Sequence, residues 1–383
     1  MSNNKFIPLS VPNIAGNEWT YVKECLDTGW ISSVGSYVTK FEEAVAAYTN
    51  AKFGIAVVNG TCALHLCLQM YGVQRGDYVI MPNITFIATA NSITYLGAEP
   101  ILIDTHPNTW QMDLDVLEDF LATKTEQKNG ELFYNENGRR IKLVVPVHVQ
   151  GNLFDMDRFI AICNKYGIEF FEDSTEALGT TYNGTHAGRF GKMGIYSFNG
   201  NKIISTGGGG MIVTDDEALA KKAKHLSTQA KSDPFEYIHD EVGYNYRLVN
   251  ILAAVGLAQM EQLPSFINRK REIVSYYKQQ LTGVGDIQFQ EISEGVNDNG
   301  WLFTVKTNKQ KELLKHLNDQ QIQSRPFWAP MNLLPMYKDC VYHTHNDNSQ
   351  KVYTTCLSIP SSTNISNQDL EVVASAIKTF YQQ

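Results

Sequence analysis

Three short stretches of the chain hold residue types that chemistry can use. In Val57-Val58-Asn59-Gly60-Thr61 an apolar run passes into a helical period. A glycine at such a turn lets the backbone approach an anion, and the free N–H groups of the following helix favour a phosphate. Turns of this kind are also common as plain connections. In Phe170-Phe171-Glu172-Asp173-Ser174 a carboxylate, Asp173, stands at the end of an apolar run, where open α/β sheets bind their ligands. It is placed either to cap a helix or to hold a protonated ring nitrogen of a cofactor that acts as an electron sink. In Tyr196-Ser197-Phe198-Asn199-Gly200-Asn201-Lys202 one lysine sits in a loop poor in other charges. That setting suits a lysine of lowered pKa that forms a Schiff base, the plain alternative being a solvated surface lysine. The glycines Gly207–Gly210 that follow are no P-loop, since no Gly-Lys-Ser/Thr comes after them, so ATP chemistry is unsupported.

The elements that must position these residues alternate between short apolar runs and helical periods from residue 50 to 215, the pattern of an α/β unit with a mostly parallel sheet. Strands are predicted at Phe53–Val58, Tyr78–Met81, Pro100–Ile103, Leu143–Val149, Ile168–Glu172, Gly194–Phe198 and Gly210–Thr214. The last two are joined by a glycine loop too short for a helical crossover, so the final strand is expected to run antiparallel. The polar segment Thr125–Arg140 reads as an exposed hairpin or loop insertion. Beyond residue 215 helices dominate, including a long one from Leu248 through Leu281 that Pro264 is expected to kink or break. Strands at Leu302–Lys306 and near Leu357–Ile359, with helices at Lys309–Gln320 and Gln368–Tyr381, make an α+β arrangement.

The ordered set of phosphate turn, strand-end Asp, Ser-Phe-x-x-x-Lys and glycines resembles the DegT/DnrJ/EryC1/StrS family of sugar aminotransferases, from about Pro8 to the C-terminus. The resemblance implies pyridoxal 5'-phosphate (PLP) and a three-layer sandwich with a seven-stranded, mostly parallel sheet, fold type I of the PLP-dependent transferases. It divides the chain into a large PLP-binding domain, residues 1–245, whose N-terminal segment is available to pack on the small one, and a smaller C-terminal α+β domain, residues 246–383. It carries the cofactor-bearing lysine onto Lys202 and the partner of the ring nitrogen onto Asp173. The phosphate contacts fall on Gly60, Thr61 and Ser197, and an aromatic residue stacked on the ring falls on Phe86, otherwise a core phenylalanine. Asn245, in Gly243-Tyr244-Asn245-Tyr246-Arg247, matches a residue that reaches the cofactor of a neighbouring subunit, which implies a homodimer with shared sites. Glu176 departs from the Gln or His of many members and places a second carboxylate by the cofactor. The opening Ile7–Pro12, Trp30–Gly35 and Asp173–Gly179 are most similar to aminotransferases of legionaminic-acid and bacillosamine-type pathways. They imply transfer from L-glutamate to C4 of a UDP-linked 4-keto-6-deoxy-N-acetylhexosamine. A PLP- or pyridoxamine-dependent sugar dehydratase is the nearest alternative, though relatives of that kind carry His where this chain has Lys202. A non-catalytic sensor or scaffold with the same fold is the other.

Composition narrows the partners. With 32 Lys and Arg against 40 Asp and Glu the net charge is −8, which argues against nucleic-acid or anionic-membrane binding by a broad basic surface. The start lacks the pattern of a secretory signal and no apolar run spans a bilayer, so a cytoplasmic location is expected. Six scattered cysteines contain no C-x-x-C pair and read as reduced thiols. His343-Thr344-His345 lacks a carboxylate or third His at ligand spacing, so it reads as a polar loop and no metal is expected. His148, at a strand end, suits the cofactor cleft and a hydrogen-bonded core position about equally.

Overall fold

The computed structural model describes residues 5–233 and 235–382. Seven extended segments align side by side in the order Glu99–Ile103, Tyr78–Pro82, Arg140–Val144, 169–173, Gly194–Ser197, Gly210–Thr214 and Phe53–Val57. Pairing is parallel as far as Gly194–Ser197. Gly210–Thr214 runs antiparallel to both of its neighbours, as the short glycine loop requires.

Alternation along each strand explains the layers. Tyr78 and Ile80 point into one apolar cluster, with Ile101, Ile103, Phe120 and Phe159. Val79 and Met81 point into another, with Leu64, Leu68, Ile93 and Leu102. Successive side chains of a strand face opposite ways, so strands that are apolar at every position must be covered on both faces. At the other edge Ile55 and Val57 join the second cluster while Ala56, Met211 and Val213 meet Phe41, Val45 and Leu263.

The sheet departs from the sequence reading in three places. The expected strand over 168–172 is two short ones, Glu169–Phe170 and Glu172–Asp173, so the ladder is two sheets meeting at this segment rather than one continuous sheet. Register is kept across the gap, from Val144↔Phe170 to Val147↔Asp173. Between them lies Pro146, which has no N–H to donate and accepts from the Asp173 N–H at 2.9 Å. For the same reason the strand expected over Leu143–Val149 ends at Val144. As expected, the segment Thr125–Arg140 is a hairpin, and its second strand, Glu131–Tyr134, pairs antiparallel with the start of Arg140–Val144. Tyr342–His343 adds a parallel strand beyond Glu99–Ile103, so this is not a polar loop.

The long helix runs unbroken from Asn250 to Leu281 with Pro264 inside it. Pro264 is on the exposed side, where water can take the carbonyl bond that its missing N–H leaves open, while Leu263, Phe266 and Ile267 hold the buried side. Its first half packs against Glu18–Thr28 and Ser36–Thr49. Ile273, Tyr277 and Leu281 in its second half enter a separate core. That core lies on an antiparallel sheet ordered Gln288–Phe289, Phe303–Lys306, Cys356–Ile359 and Arg325–Pro326, with helices Gln310–Asp319 and Asn367–Gln382. Ile7 belongs to the same core, exchanging backbone bonds with Gln321 and Gln323. No helix among the described residues is long and apolar enough to cross a membrane.

Candidate active site

A cavity of about 390 Å³ opens where the strand ends meet, lined among others by Gly60, Thr61, Phe86, Asp173, Glu176, Ser197 and Lys202. Seven of the eight site residues expected from sequence therefore converge on one space. The eighth, Asn245, is exposed, does not line it, and bridges its backbone to Thr228.

One end of the cavity is built by the turn into helix Gly60–Met70. The Asn59 side chain caps that helix by accepting from the Cys62 N–H at 2.8 Å. The Gly60 and Thr61 N–H groups, in the first turn, have no carbonyl four residues back within the helix. Two glycines make the turn possible. A Cβ on Gly60 would stand 3.1 Å from the Ser197 Cβ and 3.2 Å from the Thr175 Cγ2. One on Gly210 would stand 2.5 Å from the Asn59 carbonyl. The backbone thus crosses the end of strand Gly194–Ser197 closely enough to bring Ser197 beside the helix start.

Asp173 is buried at the end of its strand. Its Oδ2 accepts from Thr89 Oγ1 at 2.7 Å and its Oδ1 from the Thr175 N–H at 3.2 Å, which fixes the plane of the carboxylate. Glu176 is also buried; its Oε2 accepts from the Gln150 N–H at 2.8 Å and its Oε1 lies 3.5 Å from Lys202 Nζ. Burial pushes the Glu176 carboxyl up to about 7 against the opposing pull of Lys202 and the Gln150 N–H. Gln150 holds φ at 61°, unusual for a residue with a side chain. The bond from its N–H to Glu176 is one of the contacts that hold it there.

Lys202 enters from the loop after strand Gly194–Ser197, where its N–H bonds to the Asn199 carbonyl. Its ammonium lies 4.1 Å from the Trp301 ring centroid. Trp301 is fixed in turn, its Nε1 donating to the Asn201 carbonyl at 2.7 Å and its own carbonyl accepting from Lys270 at 2.7 Å. Trp328 stacks beside it at 6.2 Å between centroids. Phe86 is 55% exposed and faces the cavity, so it is not the core phenylalanine that the sequence alone would suggest. His148 is a core residue, wholly buried with Nε2 3.0 Å from Glu172 Oε1, and it does not line the cavity. Glu172 also accepts from the Gly188, Phe190 and Gly191 N–H groups, a role in shaping that loop.

These residues fit PLP. The helix start with Ser197 suits a phosphate, the buried Asp173 suits a protonated ring nitrogen, and Lys202 is the one lysine on the wall. Sequence reasoning missed Thr89, Trp301 and Trp328. Thr89 lies in the first turn of helix Ala88–Tyr95, three residues after Phe86 in the loop before it, and no sequence pattern set it apart. The tryptophans lie about a hundred residues or more from Lys202 in sequence, so no local pattern pointed to them.

Residues 12–378 match the model of the DegT/DnrJ/EryC1/StrS aminotransferase family. The chain is 37% identical over 380 residues to a GDP-perosamine synthase of Escherichia coli O157:H7, covering 98% of this chain and 99% of that one. A GDP-perosamine synthase of Caulobacter vibrioides is 36% identical, over 98% of this chain and 99% of its own. Among solved structures, the aminotransferase TlmJ from Streptoalloteichus hindustanus superposes with a TM-score of 0.89 at 25% identity, over 99% of each chain.

Proposed function

Because the chain belongs to the DegT/DnrJ/EryC1/StrS aminotransferases, sugar aminotransferases that depend on PLP, we propose that it moves an amino group from L-glutamate to C4 of a nucleotide-linked 4-keto-6-deoxy sugar. The observation that carries this reading is the convergence of Lys202, Asp173, Ser197 and the Gly60 helix start on one cavity. When bound, the cofactor supplies a carbonyl that takes up the amino group and a ring that withdraws electrons from the adjacent carbon. Lys202 then serves as general base and acid, taking the proton from the α-carbon of the donor and, in the second half-reaction, giving one to the former keto carbon of the sugar. Asp173, oriented by Thr89, keeps a proton on the ring nitrogen. Phe86 orients the ring, and Trp301 with Trp328 walls the Lys202 side from water. Lysine at 202 favours amino transfer over dehydration.

Glu176 is proposed to share a proton with Lys202 across their 3.5 Å separation. Glu176→Gln is expected to remove an inflection near pH 7 from the rate profile. Stability of the ligand-free protein gives a second readout. The carboxyl is raised from its ordinary 4.5 to about 7, so its contribution to stability is full below pH 4.5 and is lost as pH rises through about 7. The glutamine variant should lack that decline in denaturant titrations. Unchanged profiles in both would leave Glu176 a purely structural carboxylate.

The GDP-perosamine synthases among the relatives support a GDP-linked substrate, whereas the motifs at Pro8–Pro12, Trp30–Gly35 and Asp173–Gly179 support the UDP-linked N-acetylhexosamine. The whole-length identity to the synthases weighs more than these short motifs, so the GDP-linked 4-keto-6-deoxy sugar is the favoured member of the class. Rates across GDP-, UDP- and dTDP-linked 4-keto sugars separate the two. A preference for the UDP-linked N-acetyl sugar by tenfold or more, about 1.4 kcal/mol, would reverse the choice of nucleotide and leave the amino transfer intact.

The active unit is proposed to be a homodimer. Among the described residues Lys202 is the one basic side chain on the cavity wall, and with Lys202 committed to the cofactor no cation remains for a dicarboxylate donor, which supports completion of the site by a second copy. Trp19, Leu26, Trp30, Ile31 and Val34 are exposed near the chain start, an apolar surface suited to burial. Asn245 lies outside its own cavity, in keeping with a role in the neighbouring one. Mixing Lys202→Ala subunits with Asn245→Asp subunits, each nearly inactive, should restore activity, because each heterodimer then keeps one site with both native residues. No recovery in verified heterodimers would place Asn245 in its own chain's site or in none. The division into a large part through residue 245 and a smaller one from 246 is kept as a proposal, with helix Asn250–Leu281 shared between their cores.

A further inference from the structure

At the far edge of the sheet, three side chains that play no part in the proposed reaction converge. His343 Nε2 lies 2.8 Å and His345 Nε2 3.3 Å from the same oxygen, Oδ2 of Asp119. The carboxylate that seemed missing from the His-x-His segment is thus supplied by helix Leu114–Lys124, far away in sequence. All three potential ligand atoms lie within 4.8 Å of one another. A tetrahedral zinc ion with bonds of about 2.0–2.1 Å keeps its ligand atoms about 3.3 Å apart, so modest side-chain shifts would enclose one.

The backbone that carries the two imidazoles is held firmly. Tyr342 and His343 pair in parallel with Leu102 and Ile103. Buried Asp104 accepts from Thr344 Oγ1 and from the Asn348 and Ser349 N–H groups, fixing the turn around His345. Phe120 packs edge-on against the His343 ring. Among the described residues Asp119 has no Lys or Arg partner, its ion pairs being to these two histidines. A second cluster, His225 with Asp240 and Glu241, differs in this respect, because Lys222 is paired with Glu241 and would repel a cation.

We propose that Asp119, His343 and His345 form a binding site for a divalent transition cation of the zinc class, tying helix Leu114–Lys124 to the segment after Tyr342. Two imidazoles and one carboxylate suit Zn²⁺ or Co²⁺, whereas Mg²⁺ and Ca²⁺ favour oxygen ligands. The exposure of His345 and Asp119 leaves room for water as a fourth ligand.

The test uses the tag-free holoenzyme bearing His225→Ala, treated with chelator, dialysed and titrated with Zn²⁺ and Co²⁺. One equivalent should bind, Co²⁺ should give ligand-field bands of a four-coordinate nitrogen and oxygen site, and Zn²⁺ should raise the unfolding midpoint, since binding to the folded state stabilises it by mass action. Adding His345→Ala, at an exposed position, should weaken binding at least about tenfold and abolish the rise, with aminotransferase activity unchanged. Asp119→Asn should act in the same direction. Failure of the parent to bind Zn²⁺, or equal stoichiometry and affinity in the His345→Ala protein, would overturn the site.

Discussion

Lys202→Ala is expected to fold, to bind PLP without covalent attachment, and to lose activity by a factor of at least about 10²–10⁴, the range general acid–base groups contribute. The fold should survive because, among the described residues, the polar contacts of the Lys202 side chain are the long one to Glu176 and the cation–π contact with Trp301. Borohydride treatment followed by peptide mass spectrometry reads the attachment directly. Label on Lys202 in the parent and none in the variant is the expected result; label on another lysine would refute the assignment. A second consequence follows from electrostatics. Lys202 lowers the Glu176 carboxyl, so its removal should raise that group further above 7. Glu176→Gln combined with Lys202→Ala should cancel this shift in the pH dependence of stability.

Asp173→Asn should retain PLP and yet lose activity by a factor on the order of 10²–10⁴ in both half-reactions. The side chain keeps its size, and its amide oxygen can still accept from Thr89 or the Thr175 N–H. The phosphate turn at Gly60 is a separate element, so cofactor retention should not depend on the charge of Asp173. What disappears is the anion that holds a proton on the ring nitrogen. Equilibrium dialysis with PLP measures the first property and single-turnover rates with L-glutamate the second. Near-normal rates would leave Asp173 as a cap for the following turn, while loss of PLP along with activity would make it an anchor rather than an electronic partner.

Much of this site was legible because its residues sit where strands end, and strand ends follow from local apolar runs. Asp173 and Ser197 stand at the ends of such runs and Gly60 and Lys202 shortly beyond them, and resemblance to a family supplied their order. The antiparallel final strand was legible from the shortness of the Gly207–Gly210 region. The interruption at Phe171 was not, because it depends on Pro146, just past the end of the neighbouring strand Arg140–Val144. Nor was the uninterrupted helix through Pro264, where the buried face on either side outweighs a local breaker. The pairing of His343 and His345 with Asp119 is a tertiary event of the same kind. Trp301 reaches Lys202, with Trp328 stacked beside it, only once the second sheet packs beside the first, a distance in sequence that no periodicity spans. Glu176 was visible as a carboxylate, but its raised proton affinity arises from burial beside Gln150 and Lys202, which composition does not reveal.

Transfer of an amino group to a sugar in this cavity is measured most directly by following the nitrogen. The holoenzyme is given ¹⁵N-labelled L-glutamate and GDP-linked 4-keto-6-deoxy sugar, with the UDP-linked N-acetyl sugar in parallel, and sugar and keto acid are quantified by mass spectrometry. The expected result is one ¹⁵N in the sugar for each 2-oxoglutarate formed, in at least one of the two arms, with none from the Lys202→Ala protein. A sugar product that has lost oxygen without gaining ¹⁵N, or no 2-oxoglutarate with either sugar while PLP is bound, would contradict the account.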